Sequence, residues 1–229
     1  MKWRSNIMEV GELDLPEYTG SRVLVMPILL HDIDGSLPSN LSQYKNILER
    51  MVGMSPCKEG TGYLTIDEGR TQSDKPQRRP GLHVDAWHML DHDSEGGDMW
   101  GRQPEWEEVA DLTYDNNLVS TLMVASHVGC AAYLQEFEGS PIEFGNCEHL
   151  REQCKPTNRV ELQPNIVYFL NEMTVHESIP SGEVNRQFVR ITLPGDMGWP
   201  EGATPNPMGI KHEGDVKPCR LPEFIHYGN

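Results

Sequence analysis

Short apolar runs broken by turn residues constrain this chain more than any other feature. From Gly62 onward, Tyr63–Asp67, Leu82–Trp87, Val119–Ser126, Ala131–Phe137, Ile166–Leu170 and Arg186–Leu193 each read as a strand of a few residues, with Gly, Pro, Asn and Asp between them. Runs this short suit a pleated strand better than a helix, and many of them in succession predict a sandwich or barrel. Arg22–Leu30 adds a strand on the N-terminal side, interrupted by Pro27. The clearest helical signal lies between these elements. Leu41, Tyr44, Ile47, Leu48 and Met51 fall on one helical face, Ser39 or Asn40 can cap its start, and Gly53 stands where a stop belongs. The pattern predicts a helix to about Val52, packed on a sheet. Asp91–Pro104 reads as a long polar, glycine-rich loop, and residues 195–229 as a proline-rich extended tail. The expected organisation is a mainly β (α+β) chain with one domain over 1–229: an N-terminal support of a strand and a helix (1–60), a β core (61–194) and the tail (195–229).

Charge narrows the function. Lys and Arg number 19 against 35 Asp and Glu, for a formal net charge of −16. Nucleic-acid binding depends on cationic side chains displacing counterions, so this balance argues against a nucleic-acid partner, and a negative membrane surface is disfavoured for the same reason. The longest apolar run, Val23–Leu30, is far short of the roughly 20 residues a spanning helix needs. No secretory h-region is read near the N-terminus, and the five cysteines are odd in number and sparse. A reduced, cytoplasmic protein is expected. Cys147 and Cys154 could pair or share a metal, but plain thiols are the simpler reading.

One motif carries chemistry: Gly81-Leu82-His83-Val84-Asp85. Residues i and i+2 of a strand share a face, so His83 and Asp85 would present an imidazole and a carboxylate side by side. These are two of the three ligands of a 2-His-1-carboxylate facial triad, the open site of non-haem Fe(II) chemistry. A single His-x-Asp pair is no more than composition produces by chance, so the downstream context decides. Ile166–Leu170 is a buried-strand run, a short turn follows, and His176 stands at a strand end, 91 positions after Asp85. Arg186–Leu193 then alternates. Gln187, Val189, Ile191 and Leu193 form a mostly apolar face; Arg186, Phe188, Arg190 and Thr192 form the other. An inward-facing arginine needs an anion, and a dicarboxylate can supply it.

His-x-Asp, a distant His and Arg-x-Thr together resemble the Fe(II)- and 2-oxoglutarate-dependent dioxygenases, over roughly Tyr63–Leu193. The resemblance implies a double-stranded β-helix, or jelly roll, with the predicted helix on one outer face. It implies Fe(II) held by His83, Asp85 and His176, 2-oxoglutarate as cosubstrate, and ascorbate as an accessory reductant. By the same resemblance Arg190 with Thr192 matches the Arg-x-Ser/Thr pair that holds the far carboxylate of 2-oxoglutarate. Arg186 competes for that role, because it lies ten residues past His176 where the family's arginine usually stands. Arg190 is preferred for its neighbour, leaving Arg186 to the substrate or the pocket mouth. The implied reaction is oxidation, by default hydroxylation, of a small-molecule substrate with release of succinate and CO2. A carboxylate on that substrate could meet Arg186, Arg78 or Arg79. The oligomeric state is open.

Alternatives stand beside this reading. His83 with Asp85 could be a strand histidine oriented by a carboxylate, His176 a turn histidine, and the two arginines a charged strand edge. Asp91, His88, His92 and Asp93 form a rival cluster, though a glycine-rich loop is a poor scaffold for fixed ligands. Trp87, Trp100 and Trp106 flank it as packing residues. His127 lines a pocket or serves structure. A cupin-like jelly roll binding another metal, acting as an isomerase, a hydrolase or a plain binding module, is the second functional class. The absence of a His-x-His cluster counts against it. A catalytically silent jelly roll is the third.

Overall fold

The computed structural model describes residues 2–85, 120–142, 145–171, 173–194 and 202–212. It is mainly β, with every ladder antiparallel and, among the described residues, two short α-helices. The strands are β1 (Lys2–Arg4), β2 (Met8–Glu12), β3 (Arg22–Leu29), β4 (Thr61–Arg70), β5 (Ser120–Ala125), β6 (Cys130–Tyr133), β7 (Glu136–Glu138), β8 (Arg159–Glu161), β9 (Ile166–Asn171), β10 (His176–Ser178) and β11 (Asn185–Thr192). The helices are α1 (Ile33–Ser36) and α2 (Lys45–Met54). A six-stranded sheet runs in the order β2-β9-β5-β11-β4-β3, a three-stranded sheet in the order β10-β6-β8, and β1 pairs with β7.

Alternation along the strands of the large sheet sends side chains to two layers. Leu64 and Ile66 of β4, Leu122 and Val124 of β5, Val167 and Phe169 of β9, and Val189 and Ile191 of β11 join one core with Ile47, Leu48, Met51 and Val52 of α2. Full burial of side chains such as Leu48 and Met51 contributes about 1.5–3 kcal/mol each. The opposite face puts Met123, Tyr168, Leu170 and Phe188 against Cys130, Ala132 and Leu162, which come from the small sheet and the turn after β8. The large sheet therefore lies between a helical layer and the small sheet, an architecture consistent with a jelly-roll-like fold. Gln187 and the run Val189, Ile191, Leu193 face the helices as the alternation predicts.

Several expectations need correction. The predicted helix begins as a 3-10 segment, Ser39–Tyr44, and becomes α-helical only at Lys45, without a side-chain cap. Leu41 and Tyr44 are still buried. Gly53 lies inside α2; the helix ends one residue later because Ser55 precedes Pro56 and is extended (ψ 145°). The run Ala131–Phe137 divides into β6 and β7, which pair in different sheets, because the chain turns away at Leu134 and Gln135. The described part of the predicted strand Leu82–Trp87, residues 82–85, is no regular strand: His83 makes isolated bridges, and residues 86 and 87 lie outside the described residues. Pro27 is tolerated because β3 is the edge of its sheet. A bulge in β3 sets Val25 at φ 53°, a conformation β-branched residues rarely adopt. No helix among the described residues is long and apolar enough to cross a membrane. The loop Asp91–Pro104, the rival cluster His88, Asp91, His92 and Asp93, the three tryptophans beside it and most of the tail fall outside the described residues.

Candidate metal centre

The site grows from one backbone contact. The His83 N–H donates to the His176 carbonyl at 2.9 Å, and the His176 N–H donates back to the His83 carbonyl at 2.9 Å. A residue pair that exchanges both bonds stands directly opposite in an antiparallel ladder, so its two side chains emerge together on one face. The imidazole rings accordingly sit with centroids 4.4 Å apart. On the other flank, Val84 donates to Gly145 and Cys147 donates to Leu82 at 2.9 and 2.8 Å. The segment around His83 is thus stitched between β10 and residues 145–147, extending the small sheet. Glu148 reaches back to accept from the Leu82 N–H at 2.9 Å. Asp85, two residues beyond His83, turns to the same side.

Ligand atoms of His83, Asp85 and His176 all lie within 4.8 Å of one another, the only such group of three among the described residues. Both histidines are oriented alike. Nδ1 of His83 lies 2.7 Å from the Gly81 carbonyl, and Nδ1 of His176 lies 2.8 Å from the Thr174 carbonyl. A carbonyl can only accept, so each Nδ1 carries the proton and each Nε2 lone pair is left for a ligand. Burial, helped by His176 and Arg79 and opposed by Asp85, holds the His83 pKa well below its ordinary value. Its ring is therefore neutral at neutral pH, as a metal ligand must be. Burial alone would raise the Asp85 carboxyl, but Arg190, then His176 and His83, outweigh it and hold the pKa at about 2. Two imidazole nitrogens and one carboxylate oxygen, converging on one buried point, fit a divalent transition metal.

The triad opens into a cavity of about 400 Å³, and four guanidiniums, Arg78, Arg79, Arg186 and Arg190, are in its wall. Met123, Phe188 and Cys130 supply the apolar side. Burial pushes the Cys130 thiol up to about 12, so it stays neutral. Arg78 pairs with Asp67 at 3.3 Å and stacks over Phe188, 4.5 Å from the ring centroid.

The arginines of β11 have different neighbours. Arg190 is 3% exposed, with Nη1 3.5 Å from Asp85 Oδ2. Arg186 is 2% exposed; its Nη1 donates to Gln77 Oε1 at 2.7 Å and its Nε to the His127 carbonyl at 3.3 Å. Burial lowers its pKa to about 10, which leaves it charged at neutral pH. Thr192 is buried on the same face of β11 but lies outside the cavity wall. The His127 ring bonds to Ser126 Oγ at 2.9 Å and lines a smaller neighbouring cavity of about 250 Å³. Cys147 and Cys154 are free thiols in the layer outside the small sheet. Residue-by-residue reasoning did not find Gln77 or the Asp85–Arg190 contact, since neither has a local signature.

No protein-family model matches the chain, and no curated protein matches it. Solved structures do. EvdO2 from Micromonospora carbonacea var. aurantiaca complexed with 2-oxoglutarate is 15% identical with a TM-score of 0.40, over 81% of this chain and 72% of that one. HygX from Streptomyces hygroscopicus, with nickel and 2-oxoglutarate bound, is 18% identical with a TM-score of 0.34, over 69% of this chain and 66% of that one. EvdMO1 is 14% identical with a TM-score of 0.32 over 60% of this chain, which spans 27% of that protein's length. HygX has also been solved with iron bound. Two of these neighbours were thus solved with 2-oxoglutarate, and HygX with nickel or iron. These likenesses are loose, with every TM-score below 0.5, and the functional reading rests on the site itself.

Proposed function

We propose that this chain is an Fe(II)- and 2-oxoglutarate-dependent oxygenase built on a jelly roll, acting on a small-molecule substrate. The observation that supports it most is the convergence of His83, Asp85 and His176 within 4.8 Å, with both Nδ1 atoms engaged by carbonyls and a cationic cavity in front. When bound, iron with 2-oxoglutarate supplies the oxidation: the keto acid and O2 become succinate, CO2 and one oxygen atom transferred to the substrate as a hydroxyl.

The chain's own residues do the rest. His83, Asp85 and His176 would hold the metal through one atom each, leaving its cavity side to other ligands. The backbone bonds at both Nδ1 atoms fix the ring planes before the metal arrives, which lowers the cost of assembling the site. Arg186 anchors the far carboxylate of 2-oxoglutarate; its planar fork grips a carboxylate at two points, and its present partners are neutral oxygens. Arg78 and Arg79 favour a substrate that carries a carboxylate or similar anion. Phe188, Met123 and Cys130 keep water from the keto acid.

The test is spectroscopic. Anaerobic protein given Fe(II) and 2-oxoglutarate should develop the weak visible charge-transfer band of chelated iron, and with ascorbate and O2 should release succinate. His176→Ala should abolish the band while apo-protein melting stays close to the parent. A protein that binds zinc tightly but gives neither band nor succinate would be a cupin-like metal protein, and the proposal would fall.

A further inference from the structure

Asp85 divides its two oxygens between different partners. Oδ1 lies 3.8 Å from His176 Nε2, on the side where the imidazole lone pairs converge. Oδ2 lies 3.5 Å from Arg190 Nη1. The backbone of Arg190 is held in place. Arg190 sits mid-strand in β11, with Thr65 of β4 and Met123 of β5 as its register partners, so paired backbone fixes it on both sides. Its side chain is buried.

This geometry matters for how many positions a metal keeps open. A carboxylate can bind through one oxygen or chelate through two. With one oxygen from Asp85 and two imidazole nitrogens, three octahedral positions stay open. A chelating keto acid would use two of them, and the third would remain for the oxidant. If Asp85 swung round to chelate, that third position would be lost. An oxygen already engaged by a guanidinium is held away from the metal and stabilised there by charge.

We propose that Arg190 is a positioning residue that holds Asp85 to one-oxygen ligation, and so keeps the last coordination position of the metal open. The inference rests on the oxygenase reading of the triad. It assigns Arg190 a role distinct from the carboxylate anchor expected from its Arg-x-Thr neighbourhood, which falls to Arg186.

The experiment measures metal alone before any turnover. Apo protein is titrated with Co(II), whose visible spectrum reports coordination geometry. Arg190→Gln should bind Co(II) at least about twofold more tightly and change the shape of the spectrum, because the freed second oxygen can chelate and a cation beside the dication is gone. Arg190→Lys, which keeps the charge but not the fork, should fall between the two. In a crystal of the parent with Mn(II) and 2-oxoglutarate, Asp85 should contact the metal through one oxygen, with the other within hydrogen-bond distance of Arg190. That complex decides the matter even if the variants do not fold. The proposal is overturned by a chelating Asp85, by Arg190 lying on the keto acid instead, or by Arg190→Gln binding Co(II) within twofold of the parent with an unchanged spectrum. His176→Ala separates the two levels. If it too binds Co(II) like the parent, the metal-site reading itself has failed. If it loses binding while Arg190→Gln matches the parent in both affinity and spectrum, only the role of Arg190 is lost.

Discussion

The Arg186 guanidinium is buried against neutral oxygens, those of Gln77 and His127, and among the described residues it forms no ion pair. A buried guanidinium whose hydrogen bonds go only to neutral oxygens is costly, and an arriving carboxylate would relieve that cost. The local structure is arranged around the side chain. Gly129 lies so close that a Cβ there would come 2.5 Å from Arg186 Nε and 2.6 Å from Cζ. Arg186→Gln should raise the 2-oxoglutarate concentration for half-maximal turnover by about 10- to 100-fold, because a charge-assisted carboxylate contact contributes about 1.5–3 kcal/mol. Metal affinity should stay near the parent value. Gly129→Ala should push the guanidinium aside and shift the 2-oxoglutarate requirement in the same direction by a smaller factor. Steady-state kinetics with 2-oxoglutarate as the varied substrate check both. A larger effect from Arg190→Gln on that one constant would return the anchor role to Arg190.

At the scale of elements, one carboxylate ties the helical layer to the large sheet. Glu68 on β4 accepts from the Tyr44 hydroxyl, from Gln187 Nε2 of β11 at 2.8 Å, and from the Thr19 and Ser21 N–H groups at 2.9 and 2.6 Å. Burial works to raise its pKa, but these four donors together leave it below the usual value. A group whose folded pKa is depressed stabilises the fold above its unfolded pKa and loses that contribution as pH falls through the folded value. Glu68→Gln cannot accept all of these bonds and should cost about 1–3 kcal/mol in urea unfolding at about pH 7. The gap to the parent should shrink as the pH drops below about 4. A gap that stays constant with pH would mean the carboxylate charge plays no part. The same elements show what a sequence discloses. The two faces of β11 and the buried stripe from Leu41 to Met51 were legible because periodicity is local. That His83 and Asp85 share a side was legible because i, i+2 geometry survives even where the segment is a bridge and not a strand; His176 was read from its place at a strand end and from the family motif. The strands β1, β2 and β8 were not. Lys2–Arg4 and Arg159–Glu161 hold one apolar residue each, and they exist as strands because β7 and β6 offer them an edge. The Asp85–Arg190 contact was equally hidden, since it depends on how a loop crosses a sheet 105 positions away.

For the whole molecule, charge is distributed against the site. The chain carries a net charge of −16, yet the cavity before the triad holds four guanidiniums and the Asp85 carboxylate. A dianion such as 2-oxoglutarate therefore meets two fields. At a distance it is repelled by the acidic surface; within the cavity it is attracted by buried cations. Salt separates the two, because the Debye length falls from about 30 Å at 0.01 M to about 10 Å at 0.1 M, and short buried contacts are screened far less than long-range repulsion. Added salt should thus speed the approach of the keto acid and leave its departure almost unchanged. Stopped-flow mixing of the metal-loaded protein with 2-oxoglutarate should show an association rate that rises at least about twofold between those ionic strengths, with a nearly constant dissociation rate. An association rate that falls with salt would mean that the arginines project their field beyond the cavity and steer the ligand in, and the acidic surface would then have no part in gating the site.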